Sequence, residues 1–223
     1  MIYRGGAYFI SGVDTDSGKT YVTARMASYL HHRGVSVITQ KPVQTGCRSN
    51  IADDLIEHRK VMGCGALPED REGRTCTYIF KAPFAPQYAA QLEGVQIDLD
   101  NIDRDIRYLL SRYRVVLVEG IGGLMVPLND ESMVIDYIAS RKMPLILITT
   151  SKVGGINHAL LSIEACKNRD IDLHTVVYNR MPGDDKAMAD DTLSVIEKFA
   201  KTLYPHVQVI DFRSSDSFWD KEL

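Results

Sequence analysis

Short runs of aliphatic and β-branched residues alternate along the chain with longer stretches whose apolar residues recur at helical spacing. The strand candidates are Ala7–Ser11, Val35–Gln40, Val115–Glu119, Leu145–Thr149, Thr175–Asn179 and Val207–Asp211. Val115-Val116-Leu117-Val118 and Leu145-Ile146-Leu147-Ile148 have no polar alternation, which is how a strand covered on both faces reads. Between the runs lie helix candidates at Lys19–Arg33, Ala52–Met62, Asp100–Arg112, Met133–Arg141, Ile156–Arg169 and Lys186–Leu203. Asp98-Leu99-Asp100-Asn101 sets acidic and amide groups where a helix start is capped, and Gly34 suits a helix stop. The alternation predicts an α/β fold, a doubly wound and mostly parallel sheet with helices on both faces. No repeat or low-complexity linker interrupts it, so residues 1–223 are expected to form one domain. Residues 63–98, with Gly63, Gly65, Pro68, Gly73, Pro83 and Pro86, are the least regular part, either an insertion near a site or a surface excursion. The polar stretch Ser214–Leu223 reads as a loosely ordered tail.

Composition narrows the classes. Hydrophobic residues are 45% and charged residues 25% of the 223, which excludes disordered, collagen-like and disulfide-rich chains. A formal charge of -3 argues against a nucleic-acid partner, because phosphate backbones are held by clustered Lys and Arg. No run approaches the ~20 apolar residues that span a bilayer, and the start shows no secretory signal, so no membrane partner is expected. Four scattered cysteines (Cys47, Cys64, Cys76, Cys166) form no CxxC pair, which suits reduced thiols and a cytoplasmic location.

The sharpest chemistry sits in Ser11-Gly12-Val13-Asp14-Thr15-Asp16-Ser17-Gly18-Lys19-Thr20, between a predicted strand and a predicted helix. A tight loop at a helix N-terminus aims several backbone N–H groups at one point, and the helix dipole adds positive potential there. Gly18 lets phosphate oxygens approach the backbone, Lys19 can reach the outer phosphates, and Thr20 offers a hydroxyl to Mg²⁺. The usual spacing would put glycine at position 13; here it is Val13, and Gly12 makes the pattern Gx₅GKT.

Ligands of open α/β sheets bind beyond the carboxyl ends of the strands. Glu119 closes one strand run, before Gly120-Ile121-Gly122-Gly123, where an acid can hold Mg²⁺ and glycines let the chain turn beside a phosphate. Asp53, at a helix start, is either a second Mg²⁺ ligand or a first-turn acid that suits the dipole. Asn179 ends another strand and suits an adenine edge or a turn. Lys41 could neutralise a transferring phosphoryl group, and Thr45 could position a substrate. Lys152-Val153-Gly154-Gly155-Ile156-Asn157-His158 opens a helix and forms a second candidate anion site. The other histidines, His58 among them, are dispersed and suggest no role.

Four of these segments, Gly12–Thr20, Lys41-Pro42-Val43-Gln44-Thr45-Gly46, Val118–Gly123 and Lys152–His158, occur together in the order and spacing of one family. The chain resembles the dethiobiotin synthetases, ATP-dependent ligases of biotin synthesis with a fold of the P-loop NTPase type. Gx₅GKT is that family's own form of the loop. The resemblance implies that 7,8-diaminononanoate, a diamino fatty acid, takes up CO₂ (or bicarbonate) as a carbamate. ATP phosphorylates the carbamate, and the second amine closes a cyclic urea.

Carried over by position, Lys19 is the phosphate-loop lysine. Asp16, Ser17, Gly18, Thr20, Glu119, Gly122 and Asn179 are nucleotide contacts, and Thr20, Asp53 and Glu119 are the Mg²⁺-directed groups. The resemblance makes Lys41, Lys19 and Thr15 the catalytic residues: Lys41 touches carbamate and transferring phosphate, while Thr15 and Thr45 line the diamine and carbamate. Gly154, Gly155, Ile156 and Asn157 bind the substrate carboxylate from a neighbouring subunit, which implies a homodimer. Gln87 stands where the family often has His, the segment Val207–Asp211 lacks a common Gly-x-x-Pro, and residues 63–82 match no motif of the family. The alternatives are a partition- or septum-site-type ATPase switch, whose extra loop lysine is missing here, and a cobyrinate-type amidoligase, whose glutaminase domain has no room in 223 residues.

Overall fold

The computed structural model describes residues 5–181 and 183–213; the predicted tail, Ser214–Leu223, lies outside the described residues. In chain order the elements are β1 (Gly6–Gly12), α1 (Lys19–His32), β2 (Val37–Gln40), β3 (Val43–Gln44), α2 (Asp53–Val61), α3 (Pro68–Arg71), β4 (Tyr78–Ile79) and α4 (Pro86–Leu92). They continue with α5 (Leu99–Leu110), β5 (Val115–Gly123), α6 (Val134–Arg141), β6 (Leu145–Thr150), α7 (Gly155–Lys167), β7 (Leu173–Asn179), α8 (Lys186–Leu203) and β8 (Gln208–Phe212). The main sheet has the order β2-β5-β1-β6-β7-β8, and every pairing in it is parallel.

Side chains on these strands alternate between two apolar layers, as the period of two requires. Phe9, Val116, Val118, Leu145, Leu147 and Val176 pack with Ile102, Ile106, Ile135, Ile138, Ile163 and Ile196 from α5 to α8. Tyr8, Ile10, Val115, Leu117, Ile146 and Val177 pack on the other face with Val22, Met26 and Leu30 of α1. The sheet is therefore wound on both sides, and its strands are buried nearly throughout. The helix punctuation follows the sequence too: the Asp98 side chain caps α5 by accepting from the Asp100 N–H, and Gly34 takes φ +75 just after α1.

One expectation changes. The glycine run after Glu119 does not turn the chain; Gly120 to Gly123 stay in β5. A Cβ on Gly120 would come within 2.7 Å of the Phe9 ring, so the missing side chain is what lets β5 run on beside β1. Residues 63–98, in turn, are an ordered part of the fold. β4 pairs with β3, and α3 is tied to α2 by Asp70, which accepts two hydrogen bonds from the buried Arg59. No described helix is long and apolar enough to cross a membrane. All four cysteines are free thiols, and burial pushes those of Cys76 and Cys166 up to about 12.

Candidate functional site

The loop between β1 and α1 is shaped by two glycines. A Cβ on Gly12 would collide with Ser17 Oγ and sit 3.1 Å from Lys19 Cγ, which is why glycine stands here rather than one residue later. The Val13 N–H donates to the Ile148 carbonyl at 3.0 Å, which ties the start of the loop to β6. Gly18 takes φ +85 at the N-cap of α1, a conformation costly for other residues, and no side chain caps the helix. The first N–H groups of a helix have no intrahelical partner, so those of α1 are left to bind an anion.

Lys19 is buried, and its Nζ donates to the Asp14 carbonyl at 2.9 Å. Burial and the nearby Lys41 push its ammonium down to about 8. The Asp14 carboxylate accepts from Lys152 Nζ at 2.8 Å and from the Thr15 N–H at 2.7 Å, and the Lys152 hydrogen bond holds it below the ordinary range. Lys152 thus joins the second glycine-rich segment to the phosphate loop.

Across from the loop, β5 carries Glu119, fully buried and opposite Ile10 of β1. Its Oε1 accepts from the Thr20 hydroxyl at 2.9 Å and from Lys41 Nζ at 2.9 Å, and its Oε2 accepts from His58 Nε2 at 2.9 Å. Burial alone would raise its pKa, but the Lys41 charge and the His58 hydrogen bond outweigh it and hold the carboxyl ionised far below the usual range. Lys41 Nζ also reaches Asp54 Oδ2 at 2.6 Å and the Gly120 carbonyl at 2.9 Å. Desolvation opposes its charge, yet the two carboxylates raise its pKa. The result is a buried ammonium flanked by two acids beside the loop.

A cleft of about 620 Å³ opens over this centre. It gathers Thr15, Asp16, Gly18, Lys19 and Thr20 from the loop with Lys41 and Thr45 from the β2–β3 segment and Glu119 and Gly122 from β5. Ser17 is buried beneath the loop, and Asn179 stands behind it, donating from Nδ2 to the Ser17 carbonyl at 3.0 Å. Gly154 and Asn157 are exposed at the start of α7, outside the cleft; Gly155 is buried and Ile156 half-buried there.

Asp53 does not join the cluster. It is the exposed first residue of α2, and its neighbour Asp54 faces Lys41 instead. Asp54 and His58 are four residues apart and so share one face of α2. That i,i+4 acid–histidine pair was the signal in the sequence for the inward face; neither residue stood out alone.

Thr20, Glu119 and Asp54 present a hydroxyl and two carboxylates, the hard oxygen donors that suit Mg²⁺. Among the described residues no group of three or more His, Cys, Asp or Glu is set to hold a metal by itself. Mg²⁺ beside a nucleotide needs no such cage, because it takes one or two carboxylates and completes its shell with phosphates and water. The donor set fits the ion.

Parallel strands, a glycine-shaped loop ending in Lys19-Thr20 and an ionised acid on the adjacent strand define a phosphate-loop nucleotide-binding protein. The AAA domain family matches residues 6–211. A ParA family ATPase from Chlorobium tepidum superposes with a TM-score of 0.54 at 13% identity, over 95% of this chain and 86% of its own. The signal recognition particle receptor FtsY from Elizabethkingia anophelis gives 0.52 at 14%, over 99% and 62%. At these identities the likeness is one of fold alone.

Closer relatives are enzymes of one kind. ATP-dependent dethiobiotin synthetase BioD 2 of Haemophilus influenzae is 49% identical over 178 residues, 80% of this chain and 93% of the relative. The protein of the same name from Pasteurella multocida is 41% identical over 209 residues, 93% and 98% of the two chains. ATP-dependent dethiobiotin synthetase BioD of Chlorobaculum tepidum is 41% identical over 215 residues, 96% and 90%. The chain belongs to the ATP-dependent dethiobiotin synthetase family.

Proposed function

We propose that this chain is a ligase that uses ATP to make dethiobiotin from 7,8-diaminononanoate and CO₂. One amine of the diamine adds to CO₂ and loses a proton, giving a carbamate. A carbamate oxygen attacks the terminal phosphorus of ATP, and the bond to ADP breaks. The second amine attacks the carbon of this mixed anhydride, phosphate leaves, and the cyclic urea closes. The observation that carries the reading is the single cleft whose lining brings together Lys19, Thr20, Lys41 and Glu119.

The protein's part is to position and to compensate charge. The loop and the α1 N-terminus hold the phosphates, and Lys19 exchanges the Asp14 carbonyl for a phosphate oxygen. Lys41, kept charged by its two acids, faces the carbamate and the phosphoryl group passing to it. Thr20, Glu119 and Asp54 would hold Mg²⁺, which offsets phosphate charge when bound. Asp54 takes the place expected of Asp53 because it is the acid that faces inward. Asp16, Ser17, Gly18 and Gly122 complete the nucleotide cradle, and Asn179, braced on the loop, contacts the adenine. Thr15 and Thr45 line the diamine. Water is kept from the mixed anhydride, which would otherwise hydrolyse.

The substrate carboxylate binds at Gly154, Gly155, Ile156 and Asn157 of a second copy in a homodimer. The exposure of this helix start, with Val153 88% accessible, is in keeping with that role. The enzyme works in the cytoplasm, where its four free thiols stay reduced.

The test is phosphate release from ATP. It is expected to need both the vicinal diamine acid and bicarbonate, and release with ATP alone, stimulated by DNA or lipid, would overturn the reading. Light scattering is expected to give about twice the 25.0 kDa chain mass.

A further inference from the structure

Behind the cleft, a buried polar chain runs away from Glu119. His58 is fully buried; its Nε2 is 2.9 Å from Glu119 Oε2 and its Nδ1 is 3.0 Å from Thr39 Oγ1. Arg59 Nη1 donates to the same Thr39 hydroxyl at 2.7 Å. The guanidinium is held in turn by Asp70, at 2.9 Å from Nε and 2.8 Å from Nη2. Asp70 also accepts from the Thr75 hydroxyl at 2.7 Å and from the Leu67 N–H at 2.8 Å. Thr39, His58, Arg59 and Asp70 are all buried.

We infer that His58 is a positioning residue for the Glu119 carboxylate, with Thr39, Arg59 and Asp70 as the anchor behind it; the inference rests on the reading of Glu119 as a Mg²⁺-directed acid. Donor counting orders the chain. An ionised carboxylate only accepts, so His58 Nε2 carries a proton toward Glu119. A guanidinium only donates, so the Thr39 oxygen receives from Arg59, and the same hydroxyl stands 3.0 Å from Nδ1 of the ring. The contacts run without a break from the Arg59–Asp70 ion pair to the acid.

The anchor is needed because the last torsion of a glutamate is broad. Oε1 is shared by Thr20 and Lys41, and without a hold on Oε2 the carboxylate could turn and present either oxygen to the cleft. Groups that orient a metal-ligating side chain commonly set metal affinity by 10–100-fold. Residues 67–75, which match no family motif, acquire a function here: they supply Asp70, Thr75 and the Leu67 N–H that fix the far end of the chain.

The probe is Mn²⁺, with binding in the presence of ADP read from the free-ion EPR signal. His58→Phe keeps an aromatic ring without donors and is expected to weaken Mn²⁺ binding about 10–100-fold. His58→Gln, which can still donate, is expected to recover part of the loss, and Thr39→Val to show a smaller loss in the same direction. Metal-free ADP binding is expected to stay within about twofold of the parent in all three. A role in packing alone would lower the melting temperature without this selective loss of metal affinity.

Glu119→Gln serves as the reference. If it weakens Mn²⁺ binding while His58→Phe and Thr39→Val bind as the parent does, the positioning role is overturned. If Glu119→Gln has no effect, the Mg²⁺ reading falls and takes the inference with it. Should His58→Phe fail to fold, Thr39→Val decides alone, and parent-like Mn²⁺ affinity in that variant overturns the inference.

Discussion

Lys41 Nζ lies 2.9 Å from Glu119 Oε1, both side chains are shut off from water, and Asp54 closes on the same ammonium from the other side at 2.6 Å. Two acids and one cation in low dielectric persist only because each answers the other's charge. The arrangement is costly for folding alone and useful for a reaction that moves a charged phosphoryl group past this spot.

Lys41→Met keeps most of the side-chain volume and removes the charge. Breaking a buried ion pair from one side costs about 3–5 kcal/mol, and the low end is expected, because Asp54 keeps some access to water. Urea unfolding measures this. Turnover is expected to drop by at least ~10²-fold, the scale for losing a transition-state charge partner. Added Mg²⁺ is expected to raise the melting temperature of the variant more than that of the parent, since the ion answers the same two carboxylates. No difference between the two would count against this pair as a cation site.

Lys19→Ala tests the phosphate loop. The side chain is buried and bonded to its own loop, so the truncation removes both a phosphate donor and part of the wall of the cleft. Turnover at saturating diamine is expected to fall by at least ~10²-fold. A variant that turns over at nearly the parent rate would remove Lys19 from the reaction.

What could be read in advance depended on whether a signal was local. β5 and β6 were legible because both faces are buried, so aliphatic residues run unbroken through Val115–Val118 and Leu145–Ile148. The loop was legible because Gly12, Gly18, Lys19 and Thr20 are adjacent in sequence and sit between a strand and a helix. That Asp54 rather than Asp53 faces Lys41 depends on the phase of α2, a matter of one residue, and the first turn of a helix welcomes an acid at either place. What His58 and Asp70 pair with was invisible for another reason. Their partners, Glu119 and Arg59, are 61 and 11 residues away, and a polar network assembled by the fold leaves no periodicity. The glycines after Glu119 misled because glycine serves a turn and a close strand approach equally well; only Phe9 beside Gly120 decides between them.

Asp70 predicts the acid limb of stability. Burial would raise its pKa, but the Arg59, Thr75 and Leu67 hydrogen bonds lower it below the usual 3.8. The folded state therefore binds this proton less tightly than the unfolded one. The contribution is complete above the unfolded value and is lost as pH falls through the folded one. Asp70→Asn is expected to cost about 3–5 kcal/mol at neutral pH by leaving Arg59 buried without its partner. The gap between parent and variant is expected to narrow steadily below about pH 4. Urea midpoints measured from neutral pH down into this range check it, and a constant gap would show that Asp70 is not ionised in the fold.

Gly18 and Asn179 are expected to be coupled. Gly18→Ala places a Cβ at φ +85, worth about 1–2 kcal/mol of strain, and drives it into the Asn179 amide. Asn179→Ala alone gives up the hydrogen bond to the Ser17 carbonyl, about 0.5–1.5 kcal/mol. In the double variant the collision is gone while the φ strain remains, so the combined loss in urea unfolding should be smaller than the sum of the two. Nucleotide affinity should follow the same order, because the loop that Asn179 braces is the loop that holds the phosphates. Strict additivity of the two losses would mean that the amide does not rest on the loop, and the bracing role given to Asn179 would have to be abandoned.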